Sequence, residues 1–480
     1  GALTAVENLF DYKHQENKAV DFNREQLLPE MYNNEGPHIA SADVNNDGTP
    51  DFYIGGAKGQ SGTLFLSKDN QSYQAVRNDF LTHASAEDTD AVFFDSDNDG
   101  DLDLYVTSGG KSFSKYDFSM NDRLYINDGA GNFTVSTTPL PFANPISSAT
   151  VAVYDFDQDG DQDIFVGERF KVATYGVPVD GYLLENKGNN RYEFSSQKAL
   201  QNIGLITDAA WEDLDNNGIK ELVVAGEWMP ISVFKIENGK LINATQEFGL
   251  ENSNGFWKTL QIVDLDADGD LDIIAGNKGE NTLFEKNMRM YVSDFDKNGT
   301  VESIICYQKE NAYYPIVDRD ELIGQIASLK HQLLYYKEYE NATMESIFTK
   351  EQLQNATILD IKTVATSLFV NSKNKFSPVR FPNKIQYSNV AAIETLDLNN
   401  DGNLDILFGG NQYLVKPQFG RQDASKGWVA YGSGEKNSFE KIRPLQIHGQ
   451  IRDFWKGNIN QKKYILTTIN NESIQFYEIQ

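Results

Sequence analysis

Short apolar runs alternate with acidic, glycine-containing turns along most of the chain. The pairs "AVFFD" and "LDLYVTSG", "VAVYD" and "QDIFVG", and "QIVD" and "LDIIAG" are rich in β-branched and aromatic residues. Runs of this kind between turn residues are typical of buried β-strands. Because each pair encloses one acidic turn, each pair predicts a β-hairpin.

The acidic turns share one nine-residue frame, which occurs seven times. Position 1 is Asp, positions 3 and 5 are Asp or Asn, position 6 is Gly, and position 9 is Asp or Glu. The seven copies begin at Asp43, Asp95, Asp155, Asp213, Asp264, Asp294 and Asp397. Four of the six spacings lie between 51 and 60 residues. A period of this size with several strands per unit is typical of a β-propeller or another stacked array.

A second hairpin follows six of the seven frames, so that each unit has four strands. These hairpins are predicted at 64–76, 124–135, 183–194, 233–244, 368–379 and 429–442. We therefore predict an all-β fold, a seven-bladed β-propeller formed by residues 1–480 as a single domain. Six frames supply one blade each, and the frame at Asp294 lies in an insertion. Eight blades is the alternative, if the Asp294 hairpin starts a blade of its own.

The two ends of the chain are expected to build the seventh blade together. Residues 451–479 contain three strand-like runs without an acidic frame, and a fourth strand is predicted in the N-terminal segment around 18–22. Residues 1–30 and 445–480 would then close the ring, which would leave no exposed sheet edge.

Residues 286–362 are predicted to be an inserted segment within the fifth blade. Its apolar positions have a helical spacing over 318–339, at Leu322, Ile326, Leu329, Leu333 and Tyr336. Asp318 or Asp320 is expected to cap the start of this helix. A second short helix is predicted over 349–356, where Thr349 and Gln352 have the spacing of a capping box.

The frame offers the ligands that an oxygen-binding cation needs. Ca²⁺ takes six to eight oxygens from carboxylates, amide carbonyls and backbone carbonyls, and Gly at position 6 permits the turn that brings positions 7 and 9 round. The absence of His and Cys from the frames disfavours Zn²⁺ and Cu²⁺, while Mg²⁺ stays possible. The frame is not an EF-hand, because position 12 is not Glu and strands flank it. Acidic surface turns without a metal are the alternative.

We predict up to seven Ca²⁺ ions, bound by positions 1, 3, 5, 7 and 9 of each frame, with position 7 using its backbone carbonyl. The predicted ligands are Asp43, Asn45, Asp47, Thr49 and Asp51; Asp95, Asp97, Asp99, Asp101 and Asp103; Asp155, Asp157, Asp159, Asp161 and Asp163; Asp213, Asp215, Asn217, Ile219 and Glu221; Asp264, Asp266, Asp268, Asp270 and Asp272; Asp294, Asp296, Asn298, Thr300 and Glu302; and Asp397, Asn399, Asp401, Asn403 and Asp405.

The excess of negative charge resides in these frames. The chain has 480 residues, 70 acidic and 42 basic side chains and a formal charge of −28. The frames hold 27 of the acids, which leaves 43 acids against 42 bases elsewhere. No basic stripe for nucleic acid and no polybasic membrane patch is present. No apolar run reaches the length of a membrane span, and the single cysteine, Cys306, excludes an intrachain disulfide.

The motifs resemble those of VCBS/FG-GAP repeat proteins, which are related to the integrin α-subunit propeller. The resemblance is carried by the acidic hairpins, by strand ends such as "IGG", "TSGG" and "FGG", and by "LYINDGAGNF". The segments "GEWMP" and "GRQDASKG" are similar to surface-associated repeat proteins of Bacteroidetes, which often also carry an ASPIC/UnbV segment. This resemblance implies Ca²⁺ in the loops, export to the periplasm or cell surface, and binding or adhesion. The first residues lack a signal-peptide pattern, and we expect the natural chain to begin earlier.

We predict a non-enzymatic binding module whose metals are structural. Its ligand, a glycan or a protein, is expected to contact the loops between strands 2 and 3 of each blade, because variable loops on a rigid scaffold commonly carry binding. The candidate contacts are Arg169, Tyr175, Trp228, Tyr413, Arg421 and Trp428. The alternative is that each of these side chains packs beneath its own loop.

Two other functions stay open from the sequence. One is a structural subunit of an outer-membrane assembly that docks through the helical insertion. The other is a polysaccharide lyase or hydrolase, which is disfavoured because the five histidines form no motif with a nucleophile and no G-x-S-x-G elbow is present.

Overall fold

The computed structural model describes residues 3–68, 72–433, 438–439 and 441–480. Within these residues the chain forms eight antiparallel sheets of four main strands each, joined by loops of which some contain short helices or 3₁₀ turns. The all-β prediction is confirmed, and the arrangement fits a β-propeller.

The strands are numbered along the chain, beginning with β1 (Leu3–Ala5). Sheet 1 contains β2 (Ile39–Ala42), β3 (Asp51–Ile54), β4 (Thr63–Lys68) and β5 (Ser72–Val76); sheet 2 contains β6 (Asp88–Phe94), β7 (Asp103–Ser108), β8 (Arg123–Asn127) and β9 (Phe133–Val135); sheet 3 contains β10 (Ser147–Tyr154), β11 (Asp163–Phe170), β12 (Gly181–Asn186) and β13 (Tyr192–Ser195). Sheet 4 contains β14 (Leu205–Glu212), β15 (Glu221–Met229), β16 (Ser232–Glu237) and β17 (Lys240–Asn243), with β18 (Gly255–Phe256) paired to β15.

The remaining sheets follow the same plan around an insertion. Sheet 5 contains β19 (Thr259–Val263), β20 (Asp272–Gly276), β25 (Ser367–Asn371) and β26 (Phe376–Arg380); the inserted sheet contains β21 (Arg289–Ser293), β22 (Glu302–Lys309), β23 (Ala312–Pro315) and β24 (Thr357–Asp360); sheet 6 contains β27 (Val390–Leu396), β28 (Asp405–Gly410), β29 (Trp428–Tyr431) and β30 (Lys441–Pro444); sheet 7 contains β31 (Ile451–Ile459), β32 (Lys462–Ile469) and β33 (Gln475–Ile479), together with β1.

The first strands of seven sheets contact one another in a cyclic order. β2 contacts β6, and the series continues through β10, β14, β19, β27 and β31 back to β2. Buried aliphatic and aromatic side chains fill the space between neighbouring sheets, as in the cluster that joins sheets 1 and 2. The second strand of each of sheets 1 to 6 is buried on both faces, which explains why these strands read as nearly continuous apolar runs.

Both ends of the described chain lie in sheet 7, because β1 pairs with β33. The prediction of this strand at 18–22 is wrong, since a 3₁₀ turn begins at Asp21 instead. The Asp21 carboxylate accepts a hydrogen bond from the Tyr32 backbone N–H at 2.7 Å, which folds this stretch back on itself.

The predicted second hairpins are confirmed in sheets 1 to 6, from β4–β5 to β29–β30. In sheets 1 and 6, parts of the predicted 64–76 and 429–442 hairpins lie outside the described residues. The fifth sheet is interrupted as predicted, since the chain leaves it after β20 and returns as β25.

The insertion contains a sheet of its own and four short helices. The helices are α1 (Arg319–Gln325), α2 (Tyr336–Tyr339), α3 (Met344–Ile347) and α4 (Lys350–Asn355). Seven 3₁₀ turns also occur among the described residues, at Asp21–Asn23, Asn78–His83, Phe118–Met120, Lys198–Leu200, Ala327–His331, Ile385–Tyr387 and Pro417–Phe419. The predicted α4 and its capping box are confirmed, as is the cap at Asp318. None of the helices in the described part of the chain has the length and apolar character needed to span a bilayer.

The prediction of one helix over 318–339 is wrong, because α1 ends at Gln325 and Ile326 leaves helical geometry. The apolar pattern is satisfied by a bent path instead. Leu322, Ile326, Leu329 and Leu333 are buried in one cluster against the inserted sheet. Tyr336, the last member of the predicted stripe, is 65% exposed.

An N-terminal segment crosses the face formed by the loops between the second and third strands. We call residues 21–37 the plug. Leu28, Glu30, Tyr32 and Asn34 of the plug are buried. The Asn34 carbonyl accepts a hydrogen bond from Arg452 Nε at 2.9 Å, which joins the plug to the start of β31. The plug therefore covers one end of the axis around which the sheets are arranged.

Candidate functional site

The seven acidic loops have the same backbone conformation. Position 4 has a φ between 56° and 61° in all seven, whether it is Asn, Gln, Ala or Lys. The glycine at position 6 has a φ between 83° and 98°. Only glycine adopts this region without strain, which explains why position 6 never varies while position 4 does.

Each loop wraps around its own position 1. In the third loop, Asp155 Oδ1 accepts from the Asp159 backbone N–H at 3.1 Å and Oδ2 accepts from Gly160 N–H at 3.1 Å. Asp159 Oδ1 in turn accepts from Asp161 N–H at 3.0 Å. These bonds fold the loop backbone around the Asp155 carboxylate.

In the five loops whose position 9 is Asp, this acid fastens the loop to the third strand of its sheet, a role that the sequence did not reveal. Asp163 Oδ2 accepts from Phe156 N–H at 2.9 Å, and its Oδ1 accepts from Asn186 N–H at 2.8 Å. The same pair of bonds recurs at Asp51, Asp103 and Asp405. A carboxylate has about four acceptor positions, so this role is compatible with metal ligation.

Five loops bring three acids together closely enough to share one ion. Their candidate ligand atoms lie within 4.8 Å of one another. The groups are Asp95, Asp97 and Asp99; Asp155, Asp157 and Asp163; Asp213, Asp215 and Glu221; Asp264, Asp266 and Asp268; and Asp294, Asp296 and Glu302. The other two loops have Asn45 and Asn399 at position 3, where the five grouped loops have Asp.

Several carboxylate oxygens in these loops are buried without a hydrogen-bond donor. Within the described residues this holds for one oxygen each of Asp95, Asp97, Asp101, Asp215 and Asp296. A buried charged acceptor without a partner is costly. The donor set, made only of oxygens, fits Ca²⁺ and would satisfy these atoms.

The acids at position 9, which we call the closing acids, have raised pKa values because they are also buried. Burial, reinforced by neighbouring carboxylates, raises the pKa of Asp51, Asp163 and Asp272 to about 6 and that of Glu221 to about 7. A bound cation would reverse this effect, because an opposite charge favours the ionised form.

On the opposite face, formed by the loops between the second and third strands, some of the predicted ligand contacts are buried. Tyr175 and Trp228 are buried, so their prediction as ligand contacts is wrong and the packing alternative holds for them. Tyr175 stacks on Tyr32 of the plug with ring centroids 4.8 Å apart, and Trp228 Nε1 donates to Tyr175 Oη at 3.0 Å. Arg169 is also buried and forms two hydrogen bonds with Glu35 of the plug.

The other three candidates lie nearer to solvent. The Arg421 guanidinium stacks on the Tyr413 ring at 3.4 Å from its centroid, and the Arg421 side chain is about half exposed. Trp428 is half-buried and contacts the Tyr387 ring edge-on. Their role in ligand binding stays a prediction.

A buried network of charges lies beneath the plug. Glu227 pairs with Lys258 at 2.5 Å and with Arg169 at 3.2 Å, and Glu35 contacts the same two cations. Burial alone would raise the pKa of Glu35, but the charges of Arg169 and Lys258 lower it to about 2. The plug is thus held by ionised pairs at neutral pH.

A groove of about 710 Å³ opens between the loops of sheets 2 and 3. We call it the interblade groove. The rings of Phe142, Tyr182 and Phe194 lie 5.2–5.8 Å apart along it, and Tyr116 is 62% exposed at its rim. Glu168 is buried in its wall, accepts from Tyr182 Oη at 3.1 Å and pairs with the half-exposed Lys171. The sequence did not indicate this groove, because its aromatic residues come from four separate segments.

A sequence profile of the FG-GAP-like repeat matches residues 43–106, 113–166 and 213–275. The chain therefore carries FG-GAP-like repeats, which include five of the seven acidic loops. No curated protein sequence matches it.

Three solved structures with similarity to the chain are 9–10% identical to it in sequence. They include BBS1N in complex with ARL6DN (9% identity, 95% of this chain and 94% of that chain, TM-score 0.40) and the Dos1 propeller (9%, 94% and 95%, TM-score 0.41). A third is the V. cholerae biofilm matrix protein Bap1 (10%, 100% and 91%, TM-score 0.35).

Proposed function

We propose that this FG-GAP-like repeat protein is a calcium-stabilised, seven-bladed β-propeller that binds a ligand outside the cytoplasm and is not an enzyme. The observation that carries the proposal is the recurrence of one acidic loop with buried carboxylate oxygens that lack donors. Seven blades are favoured over eight by the cyclic contacts of seven first strands, while the inserted sheet pairs within itself.

Calcium in the loops would be structural. It would bind the folded loop and not the unfolded chain, and so stabilise the fold by mass action. Loops of this kind bind Ca²⁺ where its concentration is millimolar, which supports a periplasmic, secreted or cell-surface location. The resemblance to surface-associated repeat proteins of Bacteroidetes supports the same location.

The interblade groove is the favoured ligand site on the predicted face. Its aromatic rings offer flat apolar surfaces on which sugar rings can stack, while Glu168, Lys171 and Asn144 offer hydrogen-bonding groups beside them. A concave apolar site with a few polar groups is the usual form of a small-molecule site. We therefore favour a glycan over a protein as the ligand.

The experiment is a glycan-array screen of the calcium-loaded protein, repeated with Tyr116→Ala. Tyr116 is exposed, so this variant is expected to fold normally. Because Tyr116 lies at the rim of the interblade groove, the variant is expected to lose binding to the glycans that the wild type binds. The matched control is Tyr335→Ala, which removes an equally exposed tyrosine from the insertion. Equal binding by all three proteins would place the site elsewhere, and no binding by the wild type would count against a glycan ligand.

A second candidate function is docking into an outer-membrane assembly through the insertion. Leu334, Tyr335 and Tyr336 are each more than half exposed and adjacent there, which favours a protein contact. Loss of assembly in Tyr335→Ala with retained glycan binding would support this candidate.

A further inference from the structure

A small cavity lies on the axis of the seven sheets, directly beneath the plug. We call it the axial cavity. Its volume is about 60 Å³, and its charged or amide-bearing lining residues include Glu35, His38, Arg169, Lys258, Asn389 and Arg452. A water needs about 10–15 Å³ on this measure, so the space holds several waters or one small polyatomic ion.

The cavity wall contains N–H groups that have no hydrogen-bond acceptor among the described residues. Arg169 directs Nε and Nη2 to Glu35, but its Nη1 is buried and has no hydrogen-bond partner in the described part of the chain. Lys258 contacts Glu35 and Glu227, which leaves one of its three N–H groups unassigned. The unassigned donors therefore come from cationic side chains.

Arg452 adds a buried positive charge without a counter-ion. Its guanidinium donates to the carbonyls of Asn34, Asn411 and Ile451 and to Gln450 Oε1, all of which are neutral. Within the described residues none of its hydrogen bonds goes to a carboxylate. Among the groups that line the axial cavity, Arg169 and Lys258 are matched by Glu35 and by Glu227 behind them, so Arg452 leaves an excess of one positive charge there.

We propose that the axial cavity binds one small oxyanion, held by Arg169, Lys258 and Arg452. An oxyanion would accept from the unassigned N–H groups and neutralise the buried Arg452, two requirements that a water cluster meets only in part. This site is separate from the acidic loops and from the interblade groove.

The anion would enter from the side of the acidic loops. A second cavity of about 230 Å³ shares His38, Lys258 and Arg452 with the first and continues along the first strands of the sheets. Four acids line this second cavity. Asp90 and Asp208 each accept a hydrogen bond from a backbone N–H of the neighbouring sheet, Asp453 lies 3.7 Å from His38, and Glu394 pairs with Lys456. The plug closes the other end, so the occupant must be small and free in solution.

The test is calorimetric titration of the calcium-loaded protein with sodium sulfate and, separately, sodium acetate, at constant chloride. Wild type is expected to bind one anion per chain saturably. Arg452→Gln is expected to weaken binding at least tenfold. Ala149→Leu, which fills the cavity while leaving its charges, is expected to weaken it as well and keeps the test valid should Arg452→Gln fail to fold. The control is Arg443→Gln, which removes an exposed arginine from β30 and should leave binding unchanged.

Preference for acetate would identify the natural occupant as a carboxylate, and preference for sulfate would identify a tetrahedral anion. Either result supports the site. Absence of saturable binding of both anions to the wild type would overturn the proposal. Unchanged affinity in Ala149→Leu would overturn it too, because the anion would then bind elsewhere.

Discussion

The buried pair between Glu30 of the plug and Lys278 allows a sharp test of how the plug is held. Glu30 is fully buried and Lys278 is 1% exposed, and Lys278 Nζ forms a short ion pair with Glu30 Oε1. Burial lowers the pKa of Lys278, and the Glu30 charge opposes that shift. The perturbation is Glu30→Gln, which keeps the shape of the side chain and removes its charge.

The expected loss of unfolding free energy is about 3–5 kcal/mol, since removal of one partner leaves the other charge buried and uncompensated. The control is Glu478→Gln, whose partner Lys462 lies 2.9 Å away and is 56% exposed. An exposed pair of this kind contributes about 0–1 kcal/mol. The double variant Glu30→Gln/Lys278→Met removes both buried charges, and we expect it to recover most of the loss.

The assay is urea denaturation at pH 7 in excess calcium, combined with limited proteolysis of residues 21–37. Glu30→Gln should unfold at lower urea and be cleaved faster in the plug than either the control or the double variant. A loss no larger than that of Glu478→Gln would refute the ion-pair account of the plug, as would a double variant no more stable than the single one.

The remaining predictions concern the acidic loops. In EDTA, Asp163→Ala is expected to lower the unfolding free energy by about 1–3 kcal/mol, because two buried N–H groups lose their acceptor. Asp159→Ala, which changes an exposed residue, should cost under about 0.5 kcal/mol; equal losses in denaturation would contradict the role of position 9. Closing acids with pKa values raised to about 6–7 contribute stability that is fully present near pH 4 and is lost as the pH rises through those values. In EDTA the melting temperature should therefore rise on acidification from pH 7.5 to 5, whereas in calcium it should fall as protons compete with the ion. A fall in both conditions would be inconsistent with raised pKa values in these acids.

The repeated frame made the architecture predictable from the sequence. Invariant Gly at position 6 marks a φ that other residues avoid, and its recurrence placed every first hairpin correctly. The second hairpins and the interruption of sheet 5 followed from the alternation of apolar runs and turns. The hairpins depend on contacts between residues close in sequence, which a pattern can reveal. In sheet 5 the pairing of β20 with β25 is distant in sequence, but each of its two hairpins is local.

The plug and the binding face could not be predicted in the same way. Tyr32 and Tyr175 stack although 143 positions separate them in the sequence, and Glu35 meets Arg169 and Lys258 from distant sheets. An isolated sequence gives no signal for such pairs. The prediction of one helix over 318–339 was wrong for another reason. Packing onto the inserted sheet overrode the helical spacing of the apolar residues in this segment.

The measurement that tests the central claim most directly is the calcium content of the protein together with its melting temperature. Purified protein dialysed against calcium and analysed by elemental mass spectrometry should retain several Ca²⁺ ions per chain, up to seven, and chelation should lower its melting temperature. Less than one ion per chain, with a melting temperature that EDTA leaves unchanged, would contradict the assignment of the acidic loops as calcium sites.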